Sequence, residues 1–154
     1  MKPAPAAGLR VALMTDQRGW HTRQLLQALR ERGCRARCVD LAQCRIDTTH
    51  AWHGLVLPGW GDGLPDAVLV RGIAAGSFEQ VTKRLGILHA LREFGVPVYN
   101  DARAIERSVD KSMTSLLLHA AGVPTPPMNE ATARMAAQGW LPHRPMKGLP
   151  HMSR

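Results

Sequence analysis

The sequence predicts an α/β fold: an open, mostly parallel sheet with helices on both faces. Apolar runs of strand length alternate with amphipathic stretches of helix length from residue 9 to residue 103. Such alternation is typical of β-α-β units, in which a helix connects two neighbouring parallel strands. The composition agrees, because a chain of 154 residues with 45% hydrophobic content can form a packed core.

The first β-α-β unit occupies about residues 9–41. "LRVALMT" (9–15) is an apolar run suited to a buried strand, and "DQRGW" then turns the chain into a helix over about residues 21–32. The apolar face of this helix is formed by Leu25, Leu26, Ala28 and Leu29. Gly33 is the expected stop of the helix, and "CRARCVDL" (34–41) is predicted as the second strand.

The next segment, residues 46–66, is less regular, and we interpret it as a short hairpin or ordered loop. Its "GWGDG" lacks the G-x-G-x-x-G spacing of a dinucleotide-binding loop and does not lead directly into a helix. Strands are then predicted at "DAVLVRG" (66–72) and "VPVYN" (96–100), with a helix over about 77–94 between them. The inward face of that helix is expected to hold Phe78, Val81, Leu85, Leu88 and Leu91.

Two polar residues stand at the carboxyl ends of predicted strands. Arg71 ends the strand in "DAVLVRG", and Asn100 ends the strand in "VPVYN". Ligands of open α/β sheets bind outside the carboxyl ends of the strands. Arg71 and Asn100 are therefore our candidates for substrate binding.

A last well-marked helix is predicted from residue 111. Asp110 is its expected N-cap and Gly122 its expected C-terminal stop. Its apolar stripe, which we expect to face a core, consists of Met113, Leu116, Leu117 and Ala120. Lys111 lies in the first turn, where a cation opposes the positive end of the helix dipole unless it meets an anion. Lys111 is therefore a candidate anion-binding residue.

Several classes of protein are disfavoured by composition. No run of 18 or more apolar residues and no signal-peptide core occur, so we expect neither membrane insertion nor export, and predict a cytoplasmic location. The odd number of cysteines, Cys34, Cys38 and Cys44, favours reduced thiols over a disulfide framework, and their spacing with His50 and His53 does not match a zinc site. We therefore predict no metal site.

The net charge of +8 raises the alternative of nucleic-acid binding through a cluster of arginines. The cluster consists of Arg30, Arg32, Arg35, Arg37 and Arg45. No helix-turn-helix, RNA-binding or zinc-finger pattern accompanies it, and residues 129–154 hold four Lys and Arg against one Glu, a disproportionate share of the excess. A solvated arginine-rich face is the preferred interpretation.

Four segments, in order, resemble RimK-type ATP-grasp ligases, which use ATP to join L-glutamate to a carboxylate. They are "DAVLVRG", "RLGILHALREFGVPVYN", "AIERSVDK" and "LLLHAAGVPTP". The resemblance implies a pre-ATP-grasp domain over residues 1–103 and a junction helix within 104–128. It also implies ATP and magnesium as cofactors, and a ribosomal protein or a pterin such as tetrahydromethanopterin as the carboxylate substrate. By the same resemblance, Lys111 of the "DK" pair contacts an ATP phosphate.

A family member would continue after "GVPTPP" with a second lysine, a glycine-rich lid and magnesium ligands, which residues 129–154 do not provide. These residues lack periodicity, and we predict that they are irregular, disordered or not part of the native sequence. We therefore expect a truncated member, which does not bind ATP productively by itself and which forms homo-oligomers through apolar surface left uncovered. Two alternatives stay open: a non-catalytic binding or regulatory α/β module, and, less favoured, a nucleic-acid-binding domain.

Overall fold

The computed structural model describes residues 8–129, which belong to two units, Met1–Glu106 and Arg107–Arg154. The strands are β1 (Arg10–Met14), β2 (Arg35–Val39), β3 (Arg45–Ile46), β4 (Leu55–Val56), β5 (Ala67–Val70) and β6 (Val98–Tyr99). The helices are α1 (Trp20–Glu31), α2 (Phe78–Glu93), α3 (Ala102–Val109) and α4 (Lys111–Ala120). The α/β class and the predicted helices and strands within these residues are confirmed, whereas the predicted helix over about 130–138 lies outside them. The predicted domain limits at residues 103 and 128 stay predictions.

The main sheet has four parallel strands in the order β2-β1-β5-β6. The crossover through α1 leads from β1 outward to β2, and the crossover through α2 leads from β5 outward to β6 in the opposite direction. Because such crossovers are right-handed, helices that lead in opposite directions lie on opposite faces of the sheet. The strand order therefore reverses between β1 and β5, which makes their carboxyl ends a topological switch point.

The two faces of β1 pack into separate layers, as the alternation of side chains along a strand requires. Ala12 and Met14 join the main core with β5 and α2, whereas Val11 and Leu13 are buried on the other face. The residues that α2 buries completely are Ile87, Leu88 and Leu91. The prediction that Phe78 belongs to the inward face of α2 is wrong, because this side chain is 82% exposed. Phe78 is the first residue of α2, and helical side chains tilt towards the N-terminus, away from the body of the helix.

The antiparallel pair β3–β4 begins one residue before the irregular segment, and of the two interpretations, a hairpin or an ordered loop, the hairpin is the one observed. His53 fixes the end of the loop that connects β3 to β4. Its Nδ1 atom accepts a hydrogen bond from the Leu55 N–H at 3.0 Å, and its Nε2 atom lies 3.2 Å from the Asp62 carbonyl oxygen. Both ring nitrogens of His53 are therefore used within the fold.

The described part of the second unit contains α4, which has the predicted ends. The Asp110 carboxylate accepts a hydrogen bond from the Met113 N–H at 2.9 Å, and Gly122 adopts a left-handed conformation with φ +70°. The prediction that this helix faces a core is wrong. Its stripe is exposed throughout, at Met113, Leu116, Leu117 and Ala120. Residues 107–129 hold one complete helix, and a single helix cannot bury its own apolar face.

The longest helix in the described part of the chain has 16 residues, and none there combines the length and apolar character that crossing a membrane requires.

Candidate functional site

A cavity of about 320 Å³ lies at the carboxyl ends of β1 and β5. Its wall comes from two segments: residues 15–22, which are the loop after β1 and the first turn of α1, and residues 71–75 in the loop after β5. The cavity thus occupies the topological switch point, where ligands of open α/β sheets bind. Its size is at the lower end of the roughly 300–1,000 Å³ typical of small-molecule sites. It suits a free amino acid or one end of a larger substrate.

The loop after β1 is held by threonine hydroxyls. The Thr15 hydroxyl donates to the Gln17 carbonyl oxygen at 3.0 Å and accepts from the Gln17 N–H at 3.1 Å. The Thr22 hydroxyl donates to the same carbonyl oxygen at 2.7 Å. Both threonines are buried, so these bonds replace the water that their hydroxyls lose. The loop is fixed in place before any ligand arrives.

This loop leads into a helix terminus that has no side-chain cap. The N-cap of α1 is Gly19, which has no side chain to accept a hydrogen bond, and no acidic residue lies in the first turn. Gly19, His21 and Thr22 belong to the wall of the cavity. Free N–H groups and the positive end of a helix dipole favour a negatively charged group at this position.

Arg71 supplies a guanidinium group to the wall of the cavity, and its role in substrate binding stays a prediction. Its backbone N–H donates to the Met14 carbonyl oxygen at 2.9 Å, which ties the ends of β5 and β1 together. Its guanidinium group is exposed and forms no ion pair or hydrogen bond within residues 8–129. Arg71 is therefore available to bind a carboxylate or phosphate, for which a guanidinium offers two parallel donors.

Asp16 supplies a negative charge to the same wall. Its carboxylate lies close to Gly72, because a Cβ atom built on that glycine would be 3.6 Å from Asp16 Oδ1. Asp16 and Arg71 do not form an ion pair with each other, although both line the cavity. A wall with one anionic group and one cationic region is complementary to a zwitterion.

Asn100, the second predicted substrate-binding residue, does not line this cavity. It adopts a left-handed backbone conformation with φ +54°, and its Nδ2 atom donates to the Val70 carbonyl oxygen at 2.8 Å. The side chain thus joins the end of β6 to the end of β5. Its role in substrate binding stays a prediction.

Lys111 begins α4 in the second unit, and it is exposed. Its ammonium group forms no ion pair within the part of the chain that the structure describes. The neighbouring Asp110 carboxylate is used as the N-cap. A free lysine beside a helix N-terminus is suited to a phosphate. Its predicted contact with ATP stays a prediction.

The magnesium ligands that an ATP-grasp reaction requires are not found among residues 8–129. No group of three or more His, Cys, Asp or Glu side chains there is arranged to hold a metal ion. Magnesium binding to phosphates relies on carboxylates. The described residues therefore do not fit a magnesium site of their own.

Asp16, Thr22 and the uncapped start of α1 were not among the predicted site residues. "DQRGW" is interpreted from sequence as a turn alone. The position of this segment could have indicated a binding site. It follows the carboxyl end of one strand and precedes a helix that begins without Ser, Thr, Asp or Asn as its N-cap.

Comparison with protein families identifies the group to which this fold and site belong. The model of the RimK pre-ATP-grasp domain matches residues 9–105, which is more than half of the chain. The chain belongs to the RimK pre-ATP-grasp family. The match covers the four-stranded sheet and both loops of the cavity. The resemblance to this family on sequence motifs is thus confirmed.

Two relatives place the RimK pre-ATP-grasp domain in larger proteins. The chain is 34% identical over 117 residues to the tetrahydromethanopterin:alpha-L-glutamate ligase of Methanosarcina acetivorans, covering 73% of this chain and 36% of that protein. It is 28% identical to a RimK domain ATP-grasp protein from Sphaerobacter thermophilus, with a TM-score of 0.55, covering 85% of this chain and 46% of that structure. The chain therefore spans less than half the length of each.

A further solved structure supports the fold alone. The ATP-grasp ligase PsnB, complexed with minimal precursor, Mg and ADP, is 20% identical, with a TM-score of 0.55. The alignment covers 84% of this chain and 50% of the PsnB chain.

Proposed function

We propose that this chain supplies the pre-ATP-grasp part of an ATP-dependent carboxylate–amine ligase that attaches L-glutamate. The family match and the glutamate ligase relative support this reaction class. The name of that relative favours a pterin over a ribosomal protein as the carboxylate substrate. The observation that carries the proposal is the cavity at the β1–β5 switch point, with the unpaired Arg71 in its wall.

The cavity is the proposed binding site for the amino-acid substrate. A carboxylate of L-glutamate pairs with the Arg71 guanidinium and accepts hydrogen bonds from the first turn of α1. The Asp16 carboxylate faces the ammonium group and orients it. The fixed Thr15–Thr22 loop limits the reorganisation that binding would otherwise require. Asn100 contributes by holding the strand end that precedes Arg71.

ATP, when bound, supplies the phosphoryl group that activates the substrate carboxylate for attack by the amine. Lys111 is the proposed contact of this chain with an ATP phosphate, because it is a free cation at a helix N-terminus. The magnesium ligands are assigned to sequence outside residues 8–129. We therefore expect the purified chain to show no substrate-dependent ATP hydrolysis, and a clear stimulation of hydrolysis by L-glutamate and a pterin carboxylate would refute this.

Calorimetric titration of the purified chain with L-glutamate tests the proposed site. The Arg71→Gln variant is expected to bind L-glutamate about tenfold more weakly, since a charge-assisted pair contributes roughly 1.5 kcal/mol. Arg103→Gln removes the same charge from an exposed position on α3 and serves as the control, with unchanged affinity. The proposal is wrong if both variants weaken binding equally, or if L-glutamate does not bind the unmodified chain.

A ligand series separates the two charged groups of the cavity. Glutarate has both carboxylates of L-glutamate but no ammonium group, so it cannot use Asp16. Asp16→Asn is expected to weaken L-glutamate binding and to leave glutarate binding unchanged or stronger, because a repelling carboxylate is removed. Equal weakening of both ligands would contradict the orientation proposed for the substrate.

A further inference from the structure

A second cleft, of about 440 Å³, lies at the amino ends of β1 and β2, at the opposite end of the sheet from Arg71. Four arginines contribute to its wall, together with Gly59 and Trp60. We call this the arginine cleft: Arg10, Arg30, Arg35, Arg37, Gly59 and Trp60. None of these residues lines the cavity of the proposed ligase site.

The arginine cleft carries positive charge that the described residues do not neutralise. Asp66 is paired with Arg10 at 2.9 Å. Hydrogen bonds from Arg10 hold the pKa of Asp66 below its ordinary value, and the charge of Arg35 adds to this effect. Arg30, Arg35 and Arg37 form no ion pair within residues 8–129. These three arginines therefore line one cleft without a carboxylate of their own, although the Arg37 guanidinium donates to the Gly59 carbonyl oxygen.

The cleft borders an open edge of the sheet, because β2 pairs with β1 alone. The Arg35 N–H donates to the Leu9 carbonyl oxygen, and the Val39 carbonyl oxygen accepts from the Thr15 N–H. The backbone groups of Arg35 and Val39 therefore point towards β1. By the alternation along a strand, the backbone groups of Ala36 and Cys38 point outward and are unpaired in the sheet. A further strand can add at this edge.

The spacing of the arginines matches an added strand. Arg35 and Arg37 are two residues apart, so their side chains project from the same face of β2 at a separation of roughly 6.6–6.8 Å. Alternate side chains of an extended peptide repeat at the same distance. A peptide with acidic side chains can pair its backbone with Ala36 and Cys38 while its carboxylates meet the arginines. The same arginines repel a second copy of β2.

The cleft is poorly suited to single-stranded nucleic acid, which such proteins bind by stacking bases on exposed aromatic rings. The aromatic residue of the cleft is Trp60, which is half-buried, and the Arg10 guanidinium lies 5.9 Å from its ring centroid. A base would have to displace this arginine to stack. The geometry favours a polypeptide over a nucleic acid.

We propose that the arginine cleft and the outer edge of β2 bind an extended acidic segment of a protein partner. The segment adds to the sheet as a fifth strand, and its carboxylates pair with Arg30, Arg35 and Arg37. This surface is distinct from the proposed ligase site, and the proposal does not depend on the function assigned there.

Fluorescence anisotropy with a labelled oligoglutamate peptide tests this surface on the full chain. We expect saturable binding that weakens as salt rises, and no binding of the matched oligoglutamine peptide. The double variant Arg30→Gln/Arg35→Gln should bind roughly tenfold more weakly. These two side chains are chosen because they are exposed and form no short hydrogen bond in the described fold, so the variant should keep its circular dichroism spectrum.

The matched control is Arg23→Gln/Arg103→Gln, which removes the same charge from exposed positions outside the cleft. The proposal is overturned if this control loses as much affinity as the cleft variant. Edge pairing is tested with an oligoglutamate peptide that carries N-methyl groups at alternate residues and therefore lacks half of its backbone donors. Undiminished binding of that peptide, or tighter binding of oligouridylate than of oligoglutamate, would also overturn the proposal.

Discussion

Asn100 joins the ends of β5 and β6, and replacing it should lower stability by an amount that depends on the substituent. Asn100 has a left-handed backbone with φ +54° and donates a hydrogen bond to the Val70 carbonyl oxygen at 2.8 Å. Glycine adopts this backbone conformation without steric cost but cannot make the bond. Alanine loses the bond and must also adopt a conformation that its Cβ atom disfavours.

The two substitutions therefore separate the hydrogen bond from the backbone conformation. Loss of a neutral side-chain hydrogen bond costs about 1 kcal/mol of the free energy of unfolding, which is the expected effect of Asn100→Gly. The left-handed conformation adds about 1 kcal/mol for alanine, which tolerates it less well than asparagine or glycine, so Asn100→Ala is expected to cost about 2 kcal/mol. The order of stability should be wild type, then glycine, then alanine.

Urea denaturation measures this difference. Trp20, Trp52 and Trp60 report on the first unit by fluorescence, and circular dichroism follows its helices. Coincidence of the two transitions is needed before a two-state free energy is calculated. The structural role of Asn100 is refuted if the alanine variant is as stable as the glycine variant, or if the glycine variant matches the wild type.

Three further predictions concern the first unit. Ser77→Ala removes the capping box in which Ser77 and Gln80 bond each other's backbone N–H groups, and should cost about 1 kcal/mol in the same denaturation assay; an unchanged midpoint would contradict this. Trp60→Phe should change the free energy of unfolding by less than about 1 kcal/mol, because removing the buried Trp60 Nε1 atom, which has no hydrogen-bond partner within residues 8–129, offsets the packing that the smaller ring loses; a loss of more than about 3 kcal/mol would contradict this offset. Burial raises the pKa of the Cys44 thiol from 9.0 to about 12. The folded state then binds the proton more tightly than the unfolded state, so stability from this group is full below pH 9 and falls between pH 9 and about 12. Thiol labelling at pH 8 should modify the half-buried Cys34 and Cys38 well before Cys44, and equal rates would refute the inference.

The predictable part of the fold depends on local patterns. The strands and helices follow from apolar periodicity, and Asp110 and Gly122 mark the ends of α4 by chemistry that involves their own neighbours. Arg71 was predicted as a site residue because its position at a strand end is also a local feature. Arg71 lies in the wall of the cavity, and its role in substrate binding stays a prediction.

The features that could not be predicted from the sequence depend on contacts between residues far apart in the chain. The strand order β2-β1-β5-β6 brings the loop after β1 beside the loop after β5, and so places Asp16 near Gly72. No spacing in the sequence specifies this order. The bond from Asn100 to Val70 likewise spans 30 residues. Periodicity shows that α4 has an apolar face, but it does not show what covers that face, which is exposed in the described structure.

The central claim is that the β1–β5 switch point binds the amino-acid substrate, and nuclear magnetic resonance on the ¹⁵N-labelled chain tests it most directly. Titration with L-glutamate is predicted to shift the backbone amides of residues 15–22 and 71–75 in a saturable way, and Arg71→Gln should need about tenfold more L-glutamate to reach the same shifts. Amide shifts confined to the arginine cleft, or no saturable shift in the two loops, would contradict the account.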